Sequence, residues 1–347
     1  MKMNRLGGTD IHVSGLCLGT MTYGTQTSEA DAHRQIDMAI DHGINFVDTA
    51  EMYPVTPISA DTQGDSERII GSWVRKSGRR DKILIATKVS GQGLKIVRDG
   101  APISGQTIRT AIETSLRSLQ TDIIDLYQLH WPNRGSYWFR QHWTYDPTSQ
   151  NRAATLDHME EALQTMQRLA DEGKVKLFGL SNESAWGTAQ FLRIAEQENL
   201  PKVETIQNEY SLLCRLFDTD LAELAYNEQV GLLAYSPLAT GLLTGKYLNG
   251  HVPEGSRMTI SPGLGGRVTK RVHPAVTAYQ EVADKHGLPL PLMSLAWCLT
   301  RPFVTSAIFG ATTSDKVIFL RNSALIELSE DCLNDINDAY RSHPLPY

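Results

Sequence analysis

The stretch VKLFGLSNESAWGTAQFLRIAEQENLPKVETIQN, residues 175–208, contains the unit that decides the fold. It begins with an apolar run at 175–181, continues through a helix-length segment and ends in a second β-rich run at 203–208. Runs that are apolar on both faces are typical of strands buried in a parallel sheet. The stretch therefore predicts two parallel strands joined by a helix.

Runs of the same kind recur along the whole chain. The other predicted strands are 16–18, 44–48, 83–88, 124–130, 230–236 and 306–310. Between them apolar residues repeat at helical spacing, as at Ile108, Ile112 and Leu116. Eight strands that each precede a helix-length segment favour a closed barrel, and no G-x-G-x-x-G follows an early strand, as a doubly wound sheet would require. The sequence predicts an α/β protein with a (β/α)8 TIM barrel.

Three further segments complete this architecture. Residues 3–15 indicate two short strands around a Gly-Gly pair, a hairpin that would close the bottom of the barrel. The aromatic stretch 131–154 and the glycine-rich, basic stretch 236–272 exceed ordinary loop lengths, and both would lie on the C-terminal, active face. We expect the next helix to start at Thr155. No linker composition divides the chain, so we expect a single domain over 1–347.

Composition excludes several classes of function. The formal net charge is −6 without a block of like charges, which gives no electrostatic case for binding nucleic acid or an anionic membrane. No apolar stretch is long enough for a membrane span or a secretory signal. Cys17, Cys214, Cys298 and Cys332 are scattered without the spacing of metal ligands. We expect reduced thiols, no metal site and a cytoplasmic location; the sequence carries no signal for an oligomeric state.

Polar residues follow the predicted strands at the point where each strand ends. They are Asp48, Lys88, His130, Ser181, Asn182, Gln207, Asn208 and Tyr235. Any one of them alone is more often a solvated, capping or structural group. In a barrel, however, all these strand ends open on one mouth, so we expect the side chains to converge there as a site.

The types of these residues suit proton transfer to a developing oxyanion. The phenol of Tyr53 is normally too weak an acid near neutral pH. A neighbouring Lys88 ammonium, held by Asp48, would lower the pKa of the phenol toward the working range. His130 would donate a hydrogen bond to a substrate carbonyl oxygen. Since none of these groups can reduce a substrate, a cofactor must supply the hydride.

Eight motifs in order resemble the aldo-keto reductase family over essentially the whole chain. They are LGTMTYG (18–24), NFVDTAEMY (45–53), ATK (86–88), DLYQLHWP (125–132), GLSN (179–182), IQNEYS (206–211), AYSPLATGLLTGKY (234–247) and FGATTSDK (309–316). The EMYPV, LHWP and YSLL segments are most similar to the bacterial Tas-like branch, and the potassium-channel β-subunits are more distant relatives. The resemblance implies a (β/α)8 barrel and the reduction of small carbonyl compounds, with NADPH, or alternatively NADH, across the barrel mouth.

The resemblance also implies the roles of individual residues. The four catalytic residues, with Tyr53 as general acid, would be Asp48, Tyr53, Lys88 and His130. Tyr235 would stack under the nicotinamide. The other cofactor contacts would be Gly19, Thr20, Met21, Asp48, Ser181, Asn182, Gln207, Ser236, Pro237, Leu238, Gly241, Leu243, Lys246, Arg257, Gly310, Thr312 and Lys316.

The pattern departs from the family beyond Gly310. Relatives carry a glutamine and an asparagine near the adenosine, where this chain has Lys316 and Leu320. Losing the asparagine removes a polar contact to adenine, whereas Lys316 offers a point charge for a 2′-phosphate. The preference between NADP and NAD therefore stays open.

The aromatic stretch 131–154 has two interpretations, a loop packed on itself or a wall for the substrate. On the second, the substrate contacts would be Tyr23, Trp131, Trp138 and Trp143, and the substrates would be aromatic or hydrophobic aldehydes and ketones. Two other functions also stay open. One is a redox-sensing regulatory subunit that binds the cofactor with little turnover. The other is a hydrolase with Asp48 and Glu51 as a carboxylate pair, which leaves Tyr53 and Lys88 without a role.

Overall fold

The strands divide into a two-stranded hairpin and a closed barrel in this computed structural model, which describes residues 1–347. In the barrel, β3 to β10 run parallel in chain order, and β10 pairs with β3 to close it. This confirms the predicted (β/α)8 architecture. The strands are β1 Met3–Arg5, β2 His12–Ser14, β3 Leu16–Gly19, β4 Phe46–Asp48, β5 Leu84–Val89, β6 Ile124–Leu129, β7 Val175–Ser181, β8 Val203–Glu209, β9 Gly231–Tyr235 and β10 Val304–Gly310.

The helices lie between successive strands and cover the outside of the barrel. The main hydrophobic core fills the space between strands and helices. None of the helices combines the length and apolarity needed to cross a bilayer. The helices are α1 Glu29–Asp41, α2 Asp65–Ser77, α3 Gly105–Leu119, α4 Arg152–Asp171, α5 Ala185–Gln197, α6 Asp220–Asn227, α7 Arg257–Ile260, α8 Val272–Lys285, α9 Leu290–Thr300, α10 Ser314–Arg321 and α11 Glu330–Ser342.

The hairpin β1–β2 closes the lower end of the barrel, as predicted. Leu6 and Val13 pack into the lumen in one buried cluster with residues of β3 to β6, β9 and β10. Gly7 adopts φ +62°, and a Cβ there would lie 2.4 Å from the carbonyl oxygen of Glu204. Only glycine permits this close approach without strain. The lower part of the lumen is therefore filled with apolar side chains.

The two long stretches lie on the upper face, after the carboxyl ends of β6 and β9. The prediction for the start of α4 was wrong. The helix begins at Arg152, and the Asn151 side chain accepts a hydrogen bond from the Ala154 amide. Thr155 is already helical, and its hydroxyl donates back to the Asn151 carbonyl oxygen at 2.9 Å. The second stretch contains a distorted 3-10 turn and the short helix α7 before α8 begins.

Candidate active site

The strand register brings the predicted polar residues to one mouth. Asp48 ends β4 and is paired with Gly19 of β3. Lys88 lies opposite Gln128 in the neighbouring strand, and Ser181 lies opposite Gln207. Because all barrel strands run parallel, these positions share the C-terminal rim, where residues from different strands meet.

A buried ion pair lies at the centre of this rim. The Lys88 Nζ atom is 2.7 Å from Asp48 Oδ2 and 2.7 Å from the Thr49 carbonyl oxygen. Gln207 donates from Nε2 to the other oxygen of Asp48 at 2.8 Å. Burial alone would lower the pKa of Lys88, but Asp48 and Tyr53 outweigh burial and the pKa is raised. The lysine is therefore an ammonium throughout the neutral range.

Tyr53 lies beside this ammonium, with the Lys88 Nζ atom 5.0 Å from the centre of its ring. The backbone turn is fixed because Gly64 N donates to the Tyr53 carbonyl oxygen at 2.9 Å. Burial raises the pKa of the phenol, and Lys88 lowers it by less, so the pKa stays above its ordinary value. Lys88 therefore acts in the predicted direction, but burial outweighs it. The phenol keeps its proton at neutral pH.

His130 stands at the edge of the Tyr53 ring, with the two ring centres 5.9 Å apart. Burial, and then the Lys88 charge, lower the pKa of the imidazole well below its ordinary value. The ring is therefore neutral and has one N–H to donate. Its Nδ1 atom is buried without a hydrogen-bond partner in the protein. A phenol and a neutral imidazole thus lie together above a buried ammonium.

The residues expected around a nicotinamide lie in one connected group. The Tyr235 hydroxyl donates to Asn182 Oδ1 at 2.8 Å, and Ser181 Oγ donates to the Gln207 carbonyl oxygen at 2.8 Å. Asn182 adopts φ +53°, a left-handed conformation that turns the chain sharply after β7. Thr20 is buried and donates to the Asp48 carbonyl oxygen at 2.9 Å. The polar side chains of β7 to β9 thus adjoin the ion pair on one side, and Thr20, after β3, adjoins it on the other.

The loop after β9 coils tightly beside the rim. Ser236 and Gly241 adopt φ +52° and +101°. A Cβ on Gly241 would lie 3.1 Å from Lys246 Cε and 3.2 Å from its Nζ, so the lysine side chain folds closely over this glycine. Pro237 is buried, and Leu238 is partly buried against the main core.

Three cations near this loop have no carboxylate partner. Arg257 touches Met21 Sδ at 4.0 Å, and burial, together with Arg267, lowers the pKa of its guanidinium to about 10. Lys316 Nζ donates only to Thr312 Oγ1, at 2.8 Å, and burial with the nearby charge of Lys246 lowers its pKa. Arg257 is partly buried, whereas Lys246 and Lys316 are exposed. Burying a cation without a counterion is costly, and three unpaired cations in one place attract an anion. The loop and α10 therefore fit an anionic ligand that carries more than one phosphate.

Three of the predicted cofactor contacts are core or backbone positions. Leu243 is fully buried and belongs to the main core. Gly19 and Gly310 are paired in register at the ends of β3 and β10, where a Cβ on Gly19 would lie 2.9 Å from Ile308 Cγ2. A Cβ on Gly310 would meet only the Gly19 carbonyl oxygen, at 3.9 Å, so close packing accounts for the glycine at position 19 and not for the one at 310.

Of the four aromatic residues expected to contact the substrate, two are buried and two are at least partly exposed. Tyr23 is fully buried, and Trp138 is 1% exposed with its Nε1 donating to the Glu183 carbonyl oxygen. In this structure neither ring is open to the mouth. Trp131 is partly exposed with its ring centre 4.9 Å from that of His130, and Trp143 is 57% exposed over Arg271. Trp131 and Trp143 are therefore the two of these aromatic side chains that are at least partly exposed.

Three buried glutamates near the mouth form ion pairs that the sequence did not predict. Glu51 pairs with Arg98 and accepts from the Ser90 amide, in a network separate from Asp48. Each of the two carboxylates is therefore held in its own ion pair, Asp48 with Lys88 and Glu51 with Arg98. Glu183 and Glu209 also bind arginines from distant segments, and those partners are contributed by loops, which no spacing in the sequence reveals.

Comparison with known proteins agrees with this geometry. The profile of the Aldo/keto reductase family matches residues 15–341. Protein tas of Escherichia coli (strain K12) is 43% identical over 352 residues, which cover 100% of this chain and 99% of the relative. The uncharacterized oxidoreductase YrpG of Bacillus subtilis (strain 168) is 33% identical, with 98% of this chain and 96% of the relative covered.

A more distant relative is a probable voltage-gated potassium channel subunit beta of Arabidopsis thaliana. It is 30% identical over 329 residues, which cover 91% of this chain and 89% of the relative. The family profile and these near full-length matches agree with the closed barrel and its crowded C-terminal rim. The chain belongs to the aldo/keto reductase family and is an NAD(P)H-dependent oxidoreductase.

Proposed function

We propose that the protein reduces aldehydes and ketones to alcohols with NADPH, and that Tyr53 is the general acid. The observation that carries the proposal is the position of a protonated phenol directly beside a buried ammonium. A carbonyl oxygen that gains charge during reduction needs a proton donor and a positive field at the same place. Tyr53 and Lys88 meet both needs.

Each residue of the group has a separate task. Tyr53 gives its proton to the developing alkoxide, and Lys88 stabilises the phenolate that is left behind. Asp48 holds the Lys88 ammonium at 2.7 Å, so that the charge stays beneath the ring. His130, neutral and without a partner at Nδ1, donates a hydrogen bond that orients the carbonyl oxygen.

NADPH fits the polar and cationic residues of the mouth. When bound, it supplies the hydride that no side chain can provide. Ser181, Asn182 and Gln207 would hold its carboxamide, and Tyr235 would lie beneath its ring. The uncompensated cations of Lys246 and Arg257, with Ser236 and Gly241 in the coiled loop, suit its phosphates. Thr20, Met21, Leu238, Gly310 and Thr312 complete the proposed contacts.

The function is tested by following the oxidation of NADPH and NADH with a panel of aldehydes and ketones. Oxidation is expected to depend on the carbonyl compound and to saturate with it. If the cofactor stays tightly bound, as its fluorescence would report, while no carbonyl compound is turned over, the regulatory function takes its place.

Replacing Lys316 with alanine is expected to raise the KM for NADPH about three- to tenfold and to change the KM for NADH less than twofold. The reason is that a partly exposed point charge contributes on this order to binding a 2′-phosphate. Lys202→Ala serves as the control, since Lys202 lies at the opposite end of the barrel and donates to the Glu228 carbonyl oxygen. Equal changes for both cofactors would refute the role of Lys316.

We further propose one domain over 1–347 and a cytoplasmic location. Pairing of β3 with β10 joins the two ends of the chain in one sheet, which supports the single domain. All four cysteines are free and buried, which suits a reducing compartment.

A further inference from the structure

The buried carboxylate of Glu209 gathers three distant segments at the barrel mouth. Its Oε1 accepts from Arg267 Nε at 2.7 Å and from the Tyr347 hydroxyl at 3.1 Å. Its Oε2 accepts a hydrogen bond from Arg140 Nη1 at 2.9 Å. We call these four residues, Arg140, Glu209, Arg267 and Tyr347, the mouth clasp.

Each partner of Glu209 belongs to a different segment of the upper face. Arg140 comes from the aromatic loop after β6, and Arg267 comes from the segment between α7 and α8. Tyr347 follows α11, and its neighbour Pro346 accepts a hydrogen bond from Thr269. Both carboxylate oxygens are used and the Glu209 side chain is only 2% exposed, so the clasp is a built contact rather than a surface ion pair.

The charge balance supports a persistent clasp. Burial alone would raise the pKa of the Glu209 carboxyl, but Arg267 and Arg140 outweigh burial and the pKa is lowered. Glu209 is therefore ionised at neutral pH. Removing it would leave two guanidinium groups close to each other and near the unpaired Arg257.

The clasp adjoins the proposed nicotinamide site. Glu209 is the last residue of β8 and is paired in register with Tyr235 at the end of β9. The aromatic loop is held at a second place, where Arg134 pairs with Glu183 and Ser136 donates to the Asn182 carbonyl oxygen. The clasp ties Arg140 to the other two segments, and Trp143 adds a contact with Arg271 of the α7–α8 segment.

We propose that Glu209 is a positioning residue that holds the aromatic loop, the α7–α8 segment and Tyr347 as one wall of the substrate site. This inference rests on the proposed reductase function and assigns the selection of bulky carbonyl substrates to that wall. Glu209 touches no reacting atom. It acts through Arg140, which fixes the part of the loop that bears Phe139 and Trp143.

The clearest test removes one of the three partners of Glu209 and leaves its carboxylate paired with the other two. Arg140→Met keeps Glu209 bound to Arg267 and Tyr347. The matched control is Lys176→Met, since Asp125 at the lower end of the barrel is equally buried and also has two cationic partners, Arg80 at 2.6 Å and Lys176 at 2.7 Å.

For Arg140→Met we expect kcat/KM for 4-nitrobenzaldehyde to fall about tenfold and that for propanal to fall less than twofold. Lys176→Met is expected to leave both values within twofold. Glu209→Gln should reproduce the selective loss, and its combination with Arg140→Met should add little, because both act on one contact. Equal losses for both aldehydes, or no loss, would overturn the proposal.

A second readout does not need turnover. Limited proteolysis within 131–151 is expected to be about tenfold faster in Arg140→Met than in the wild type, with no change in Lys176→Met. If the wild type reduces no carbonyl compound, the proposed function fails while this assay still judges the clasp. Equal cleavage rates in the two variants would refute the clasp even in an active enzyme.

Discussion

Replacing Tyr53 with phenylalanine is expected to lower kcat for carbonyl reduction about 100- to 10,000-fold, the usual contribution of a positioned general acid. The change removes one hydroxyl and keeps the ring that packs beside His130. Cofactor affinity should change little, because the hydroxyl contributes a proton rather than a cofactor contact. Single-turnover oxidation of NADPH with a saturating aldehyde measures the loss at the chemical step.

The matched control for this variant is Tyr127→Phe. Tyr127 is also fully buried, but its side chain lies on the outer face of β6 and its hydroxyl has no hydrogen-bond partner. Loss of this hydroxyl is expected to leave kcat within twofold. If Tyr53→Phe were as active as Tyr127→Phe, the phenol would not be the proton donor, and His130 would take that role.

Replacing Lys88 with methionine is expected to reduce kcat about 100-fold or more and to destabilise the protein. A buried Asp48 without its partner costs about 3–5 kcal/mol, because the carboxylate is left uncompensated. Activity is lost because neither the phenolate nor the developing alkoxide has a cation beside it. Urea unfolding at pH 7 and single-turnover rates measure the two effects separately.

The pH dependence of the reduction rate reports whether Lys88 raises or lowers the pKa of Tyr53. Reduction needs the protonated phenol, so the rate should fall as the pH rises through the pKa of Tyr53. Lys88 lowers that pKa, although burial keeps it above its ordinary value. Lys88→Met should therefore move the alkaline limb to higher pH, whereas Lys88→Arg, which keeps the charge, should move it less. A shift to lower pH would contradict the proposed role.

The same lysine links stability to pH. The pKa of Lys88 is raised in the folded protein, so its ion pair contributes its full stability below the ordinary lysine pKa. That contribution is lost as the pH rises through the folded-state value. Since both partners are buried, the pair should resist added salt better than exposed ion pairs do.

Much of the fold was predictable because buried parallel strands leave a simple signal. All eight apolar runs became barrel strands, and 175–181 matched its strand at both ends. The start of α4 was missed because asparagine caps a helix as well as threonine does, and only the backbone shows that Asn151 is the cap. Gly43 and Gly173 follow the ends of α1 and α4 and adopt positive φ, as glycines after helix ends commonly do.

The site was predictable only where it lies on strands. Asp48, Lys88 and His130 follow from strand ends, because the parallel register fixes where they meet. Leu243 was predicted to contact the cofactor and Tyr23 the substrate, and both are fully buried in the main core. The mouth clasp could not be predicted from the sequence, because the partners of Glu209 include Arg140 and Tyr347, which are 69 and 138 positions away along the chain.

The most direct test of the central claim follows the hydride itself. NADPH deuterated at both C4 positions of the nicotinamide is incubated with the protein and an aromatic aldehyde, and the alcohol is analysed by mass spectrometry. The reductase function predicts one deuterium at the carbinol carbon for each NADPH consumed. Unchanged aldehyde beside retained cofactor, or alcohol without deuterium, would contradict it.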